Sequence, residues 1–173
     1  GERMLGLIAM QEGKYVIARR KFESLLKLYE KLGQKNHQGL LLNDLGDISH
    51  IEGNYDLAEV FYRKAFDIAK KSKDIERQAV RLNNLGLLEL KKGKYSTSRE
   101  TLDRALFLAQ DFGRRDVIGS CELGLARIAY FEGNHSEALV LTREAVAIFE
   151  RLKHRYLAEA RAFLQKLEQD EKV

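Results

Sequence analysis

The stretch of sequence that decides the fold is residues 42–65, which read LNDLGDISHIEGNYDLAEVFYRKA. Forty positions later, residues 82–105 read LNNLGLLELKKGKYSTSRETLDRA and keep the leucine-glycine pair, the tyrosine after the second glycine and the closing alanine. The second glycine of the pattern recurs every forty residues without drift, at Gly13, Gly53, Gly93 and Gly133. Several columns held in phase along a chain indicate an internal repeat. The sequence therefore predicts a repeat protein with a unit of forty residues.

Each unit predicts two helices joined by a short turn. In the second unit we expect helix A over about 38–52 and helix B over about 57–71, with the turn at Gly53. Helix B spaces its apolar residues three and four apart, which is typical of an amphipathic helix. Glycine at position 53 suits a left-handed residue just after helix A, because it has no Cβ to clash there. The unit is therefore expected to be an antiparallel helix hairpin.

Glycines inside helix A indicate how the two helices pack. Gly46 and Gly86 occupy the same place in consecutive units, and glycine inside a free helix costs about 1 kcal/mol relative to alanine. Small residues recur in helix B as well, at Ala58, Ala65 and Ala105. We expect helix B to approach helix A closely at these glycines.

Composition restricts the chain to a few classes. The 173 residues include no proline and no tryptophan, and 45% are apolar and 32% charged, which favours an all-α soluble fold. The net charge of +4 is spread over alternating acids and bases, so we expect no nucleic-acid partner. One cysteine fits a reducing cytoplasm, and no apolar run approaches the roughly 20 residues that a membrane helix needs.

The repeated residues resemble the tetratricopeptide repeat (TPR). The matching residues of the second unit are Leu42, Leu45, Gly46, Tyr55, Ala58, Tyr62 and Ala65. The forty-residue period is similar to the subgroup found in kinesin light chains, Pins-type adaptors and the sensor regions of bacterial regulators. The resemblance implies an all-α, right-handed superhelical solenoid of antiparallel helix hairpins. We expect a single domain over residues 1–173 with about four repeats (1–33, 34–73, 74–113 and 114–153) and a C-terminal capping helix over 154–172.

Some positions depart from the TPR pattern. The third unit has Ser98 where alanine is usual, and the fourth has Ala126 in place of glycine and Thr142 in place of the aromatic residue. Counting back by the period, helix A of the first unit is expected to start before Gly1. We therefore expect the sequence to be part of a longer protein.

The resemblance also implies where a ligand binds, because exposed positions of the A helices line the concave wall of a TPR solenoid. Asparagine on such a wall can bond a peptide backbone as donor or acceptor, and apolar neighbours can seat a side chain. Alternatively, Leu87, Leu90 and Tyr130 pack between adjacent A helices, and Asn43 and Asn83 make a structural contact there. The candidate residues are Asn43, Asp47, His50, Asn83, Asn84, Leu87, Leu90, Leu123, Arg127 and Tyr130.

These features favour a protein- or peptide-binding scaffold or adaptor, or the sensor region of a larger regulator. The alternative is self-association as a homodimer through an exposed apolar end. An RNA-binding repeat code would need matched polar residues at equivalent positions of every unit. This chain has Asn43, Asn83 and Leu123 there, so the third position does not fit such a code.

Some TPR domains are receptors for the C-termini of chaperones, but this chain does not match the residue pattern of those receptors. Leu7, Asp44 and Val80 stand where that clamp needs lysine or asparagine, and Arg3 is a loose match. Catalytic candidates are scattered histidines and the lone Cys121, which we expect to be a small core residue. We expect no enzyme activity, no metal and no cofactor.

Overall fold

The computed structural model describes residues 1–170. Over that range the chain forms nine α-helices and no strand. Their bounds are α1 Glu2–Gln11, α2 Tyr15–Lys31, α3 Lys35–Ile51, α4 Tyr55–Lys71, α5 Ile75–Lys91, α6 Tyr95–Asp111, α7 Arg115–Phe131, α8 His135–Leu152 and α9 Leu157–Asp170.

The helices pack as consecutive hairpins, with α1, α3, α5 and α7 as the A helices and α2, α4, α6 and α8 as the B helices. This confirms the predicted all-α hairpin fold with a further helix, α9, packed on α8. Residues 171 and 172 of the predicted capping helix lie outside the described residues. The second A helix begins at Lys35, earlier than predicted, since the turn at Gly33 already closes with a Gln34 N–H to Tyr29 carbonyl bond of 3.0 Å.

The chain divides into two compact units, Gly1–Arg81 and Leu82–Val173, with the division inside α5. Unit 1 contains α1 to α4 and the first residues of α5. Unit 2 contains the rest of α5 and α6 to α9. Each unit has a core of its own.

The turn inside each hairpin ends one helix and starts the next. Gly53 has φ +77°, and its N–H donates to the His50 carbonyl at 3.0 Å. The Asn54 N–H then donates to the Ser49 carbonyl at 2.8 Å, while the Asn54 side chain accepts from Leu57 N–H at 3.3 Å. Gly53 thus has the left-handed conformation that the sequence predicts, and Asn54 caps α4.

A second set of residues with left-handed backbone conformation lies between the hairpins, and the sequence did not predict it. Gly33, Lys73, Gly113 and Lys153 are forty residues apart, and all have positive φ between 50° and 66°. Two of the four are lysines, so the glycine pattern is interrupted in the sequence. A lysine in this conformation costs about 1 kcal/mol that glycine avoids.

Close approach inside the hairpins is confirmed at the helix A glycines. A Cβ on Gly46 would lie 2.5 Å from Tyr62 Cε1, and one on Gly86 would lie 2.6 Å from Leu102 Cγ. Gly6 receives the ring of Phe22 in the same way. The missing side chain of helix A is therefore replaced by a large side chain of helix B in each of these hairpins.

Each unit has core clusters that combine apolar residues of its A and B helices. In unit 1 the cluster contains Ala9, Ala18, Phe22, Leu41, Leu45 and Ile48. In unit 2 one cluster contains Leu123, Ala145, Val146, Phe149 and Ala160. Two of the residues that depart from the TPR pattern, Ser98 and Thr142, are buried, and each hydroxyl group has a hydrogen-bond acceptor. Ser98 Oγ donates to the Gly86 carbonyl at 2.7 Å, and Thr142 Oγ1 donates to the Ala138 carbonyl at 2.6 Å.

Candidate functional site

The predicted site residues of unit 1 lie on α3 and centre on Asp47. Its carboxylate accepts a hydrogen bond of 2.8 Å from the Tyr62 hydroxyl and one of 3.2 Å from Asn43 Nδ2. Tyr62 belongs to α4 and reaches α3 because Gly46 leaves room for its ring. Asp47 and His50 are half-buried, whereas Asn43 is buried.

The hydrogen bond from Tyr62 is expected to stabilise unit 1. Replacing Tyr62 by phenylalanine keeps the ring over Gly46 and removes the donor, so we expect the free energy of unfolding to fall by about 1 kcal/mol. Urea denaturation followed by circular dichroism measures the change. Tyr130→Phe removes an exposed hydroxyl and is the matched control, with an expected loss of a few tenths of a kcal/mol. Equal losses in the two variants would contradict this assignment.

A balanced cluster of charges adjoins Asp47 in unit 1. Arg3 Nε and Nη2 donate to the two carboxylate oxygens of Asp44 at 2.6 and 2.9 Å. Burial raises the pKa of Asp44, against the lowering effect of the Arg3 guanidinium. Arg81 is 4% exposed, and burial lowers its pKa to about 10, against the raising effect of Asp47 and Asp44. Arg3, the residue that loosely matches the chaperone-tail clamp, is thus engaged in an ion pair with Asp44 within the protein.

The predicted site residues of α5 in unit 2 are held mainly by packing. Asn83 is buried; its Oδ1 accepts from Cys121 Sγ at 3.3 Å, and its Nδ2 donates to Asn84 Oδ1 at 3.5 Å. Leu87 lies over Gly124 of α7, where an added Cβ would be 2.9 Å from Leu87 Cδ2. Leu87 and Asn84 stay half-buried and reachable, whereas Asn83 joins two A helices.

Two of the candidate leucines are core residues by burial. Leu90 is 9% exposed and Leu123 is 5% exposed. Leu123 packs with Ala145, Val146 and Phe149 of α8. The prediction that Leu90 and Leu123 are exposed on the wall is therefore wrong, because neighbouring side chains bury both.

Arg127 and Tyr130 of α7 both contact α9. Arg127 makes an ion pair with Glu159, and its guanidinium carbon lies 5.8 Å from the Phe163 ring centroid. The Tyr130 ring meets Phe163 edge-on at 5.8 Å and lies 4.5 Å from Lys166 Nζ. We call Arg127, Tyr130, Phe163 and Lys166 the Tyr130 cluster. Arg127, Tyr130 and Phe163 are half-buried and Lys166 is exposed, so rings and cations are both open to a ligand.

The polar residues that α9 contributes to this surface were not predicted from the sequence. Lys166 and Glu159 come from the capping helix, and the Tyr130 hydroxyl donates to Asp170 of the same helix at 3.0 Å. The signal was present, since α9 repeats the phase of an A helix and so can present its side chains beside those of α7.

Glu122 is a buried acidic residue that was not predicted from the sequence. Glu122 of α7 stands where the second and third units have Leu42 and Leu82, and it is 8% exposed. No described residue donates a hydrogen bond to its Oε2. Burial first, and then the Glu144 carboxylate, raises the pKa of Glu122 to about 7 from its ordinary 4.5. This carboxyl therefore opposes folding when it ionises.

The described residues show little that suits catalysis. Cys121 is fully buried, and burial first, with the neighbouring acids Glu122 and Asp103, raises the pKa of its thiol. This confirms the core role predicted for Cys121. Among residues 1–170, no group of three or more His, Cys, Asp and Glu side chains is arranged to hold a metal ion. None of the helices over that range is long and apolar enough to span a membrane.

Comparison with known proteins agrees with the hairpin architecture. A family model described as tetratricopeptide repeat matches residues 2–71 and 78–151. No curated protein matches the chain. Among solved structures, BtubC (BKLC) from P. vanneervenii is 20% identical, with 95% of this chain and 69% of that chain covered and a TM-score of 0.77.

Two other solved structures are similar to the chain. A Rap protein complexed with competence and sporulation factor is 15% identical with a TM-score of 0.87, over 99% of this chain and 48% of that one. A putative kinesin light chain of Podospora anserina is 17% identical with a TM-score of 0.73, over 99% and 85%. The chain thus spans about half the length of the Rap protein. At these identities the structures share the fold.

Proposed function

Since the chain belongs to the tetratricopeptide repeat family, we propose that it binds a peptide segment of another protein on the exposed faces of its A helices. In this proposal the repeat scaffold has a non-catalytic function. The proposed role is that of an interaction or sensor region in a cytoplasmic regulator.

The observation that carries the proposal is the Tyr130 cluster. Tyrosine and arginine are enriched among the residues that dominate binding energy, since each offers a large contact area with a polar end. Here their side chains are already ordered by Glu159, Phe163 and Asp170, so a ligand would not have to immobilise them. Tyr130, Arg127 and Lys166 together favour a peptide that carries an aromatic or acidic residue at this point.

The other candidate residues supply polar contacts in this proposal. Within unit 2, Asn84 with Leu87 would meet the backbone and an apolar side chain of the peptide. Asp47 and His50 would form a separate polar contact surface in unit 1. Asn43 acts through Asp47, and Asn83 acts by positioning Asn84. The similar Rap protein was solved in a complex with competence and sporulation factor, which supports a binding function for this fold.

The test is a selection of binding peptides from a random ten-residue library displayed on phage. We expect recovered peptides to bind the wild-type chain and to lose about tenfold or more in affinity to an Arg127→Ala/Tyr130→Ala variant. Fluorescence anisotropy of the synthetic peptides measures the dissociation constants.

The matched control is Val140→Ala on α8, because Val140 is exposed and lies outside the candidate surface. Circular dichroism must show that both variants keep the helical content of the wild type. Peptides that bind all three proteins equally would move the site away from the Tyr130 cluster. Failure to recover any binding peptide would contradict peptide recognition by this chain.

A further inference from the structure

The first A helix presents an apolar face to solvent. Leu5 is 48% exposed and Ile8 is 43% exposed, and Met4 beside them is exposed as well. At the same register in the next hairpin of unit 1, Leu45 is 1% exposed and Ile48 is fully buried. Leu5 and Ile8 are therefore exposed, although the same residue types at the same register of α3 are buried in a helix contact.

Unit 1 shows what covers such a face. Leu45 and Ile48 of α3 pack against Ala18 and Phe22 of the preceding B helix, α2. An ion pair closes the edge of this contact, where Arg19 of α2 meets Glu52 just after α3. The covering helix thus carries a small residue, then arginine, then a large apolar residue three positions after the arginine.

Unit 2 repeats the arrangement. Leu102 of α6 reaches α7, where a Cβ on Gly124 would lie 2.8 Å from Leu102 Cδ1. Arg99 of α6 bonds Glu132, just after α7, at 2.6 Å. Ser98, Arg99 and Leu102 therefore match Ala18, Arg19 and Phe22 position for position.

The first hairpin also has the acid of this interface. Glu12 follows α1 at the register of Glu52 and Glu132. Its carboxylate lies 2.8 Å from Lys14 Nζ, and both side chains are about half exposed, which makes this a weak pair that another cation can replace. The apolar and the acidic parts of the interface are thus both present on α1 and open to solvent.

A second copy of the chain has little to offer this face. The small residues and large side chains of its B helices, Ala18, Phe22, Ala58, Tyr62, Leu102, Ala138 and Phe149, are at most 2% exposed. They are already used within the protein. The occupant must therefore bring a B-type helix whose equivalent face is free.

We propose that the face formed by Met4, Leu5, Ile8 and Glu12 is a docking surface for a B helix of another tetratricopeptide hairpin. The docked helix places a small residue and a large apolar side chain against Leu5 and Ile8. The arginine that follows its small residue pairs with Glu12. This surface is separate from the Tyr130 cluster and does not depend on the proposed peptide site.

The probe is a peptide with the sequence of residues 15–31, YVIARRKFESLLKLYEK, labelled with fluorescein. A lactam between Glu23 and Lys27, both exposed in α2, fixes the helix, since an isolated helix of this length is marginal in water. Fluorescence anisotropy with the full chain measures binding. We expect saturable binding that Ile8→Glu weakens about tenfold or more, because it places a carboxylate against the apolar stripe.

A charge exchange tests the orientation. Glu12→Arg in the chain is expected to weaken binding of the probe, and an Arg19→Glu change in the peptide is expected to restore it. Val140→Glu, at an exposed site on α8, is the control and is expected to leave binding unchanged.

Absence of binding to the folded chain would overturn the proposal, as would binding that Ile8→Glu does not affect. Sedimentation equilibrium tests whether a second copy of the chain covers this face instead. A dimer that Ile8→Glu converts to a monomer would show that a second copy, rather than a foreign helix, covers the face.

Discussion

Replacing Gly86 by leucine is expected to lower the free energy of unfolding by about 3 kcal/mol. A Cβ at this position would lie 2.6 Å from Leu102 Cγ and 3.3 Å from the Leu102 backbone nitrogen. The rest of a leucine side chain then has no space without separation of α5 from α6, which also threatens the Ser98 bond to the Gly86 carbonyl. Urea denaturation followed by circular dichroism measures the loss.

Smaller substitutions separate packing from helix propensity. In a free helix Gly86→Ala would add about 1 kcal/mol of stability, whereas here we expect a loss. Leu102→Ala combined with Gly86→Ala is expected to cost less than the two single changes added together, since the two side chains compete for one space. Gly39→Ala is a milder comparison, because its Cβ would meet the Ile68 methyl at 3.1 Å. A Gly86→Leu variant as stable as the wild type would refute the close packing of this hairpin.

Replacing Glu122 by leucine is expected to stabilise the protein above pH 7 and to have much less effect at pH 4.5. The raised pKa means that the unfolded state releases the proton near pH 4.5 while the folded state keeps it until about pH 7. Stability from this group is therefore complete below about pH 4.5 and is lost as the pH rises through 7. A shift of this size corresponds to at most about 3 kcal/mol, and we expect about 2 kcal/mol because solvent reaches part of the carboxylate.

Thermal melts at pH 4.5 and pH 8 measure this effect. Glu122→Gln keeps the shape and removes the charge, so it is expected to abolish the extra loss at pH 8 without filling the apolar register. Glu144→Gln removes the neighbouring carboxylate and is expected to move the midpoint of the pH dependence downward by less than one pH unit. A Glu122→Leu variant that gains the same stability at both pH values would show that the carboxyl does not titrate with folding.

The sequence was sufficient for the features that repeat. The period of forty residues placed the hairpins, the turn at Gly53 and the close approaches at Gly46 and Gly86, because each depends on a residue type that few others can replace. It was insufficient where the residue type departs from its column. Lys73 has the left-handed conformation of a glycine. Its side chain gives no local sign of this.

The candidate surface was less predictable than the fold. The register of an A helix places Arg127 and Tyr130 on the surface, yet their contacts come from α9, whose packing on α8 is a tertiary property. Leu90 has the register of His50 and Tyr130, which are half-buried, and yet it is buried. Leu123 has the register of Asn43 and Asn83, and all three are buried. Periodicity determines which face of a helix a residue occupies. The partner helix determines how much of that face stays open.

The lysines of the inter-hairpin turns have a consequence for protein engineering. Lys73 and Lys153 occupy a conformation that the sister turns assign to Gly33 and Gly113, and each holds about 1 kcal/mol of avoidable backbone strain. The chain therefore contains, within its own repeats, a consensus that improves on two of its turns. Stability that marginal proteins leave unused is often found in this way, by copying one repeat onto another.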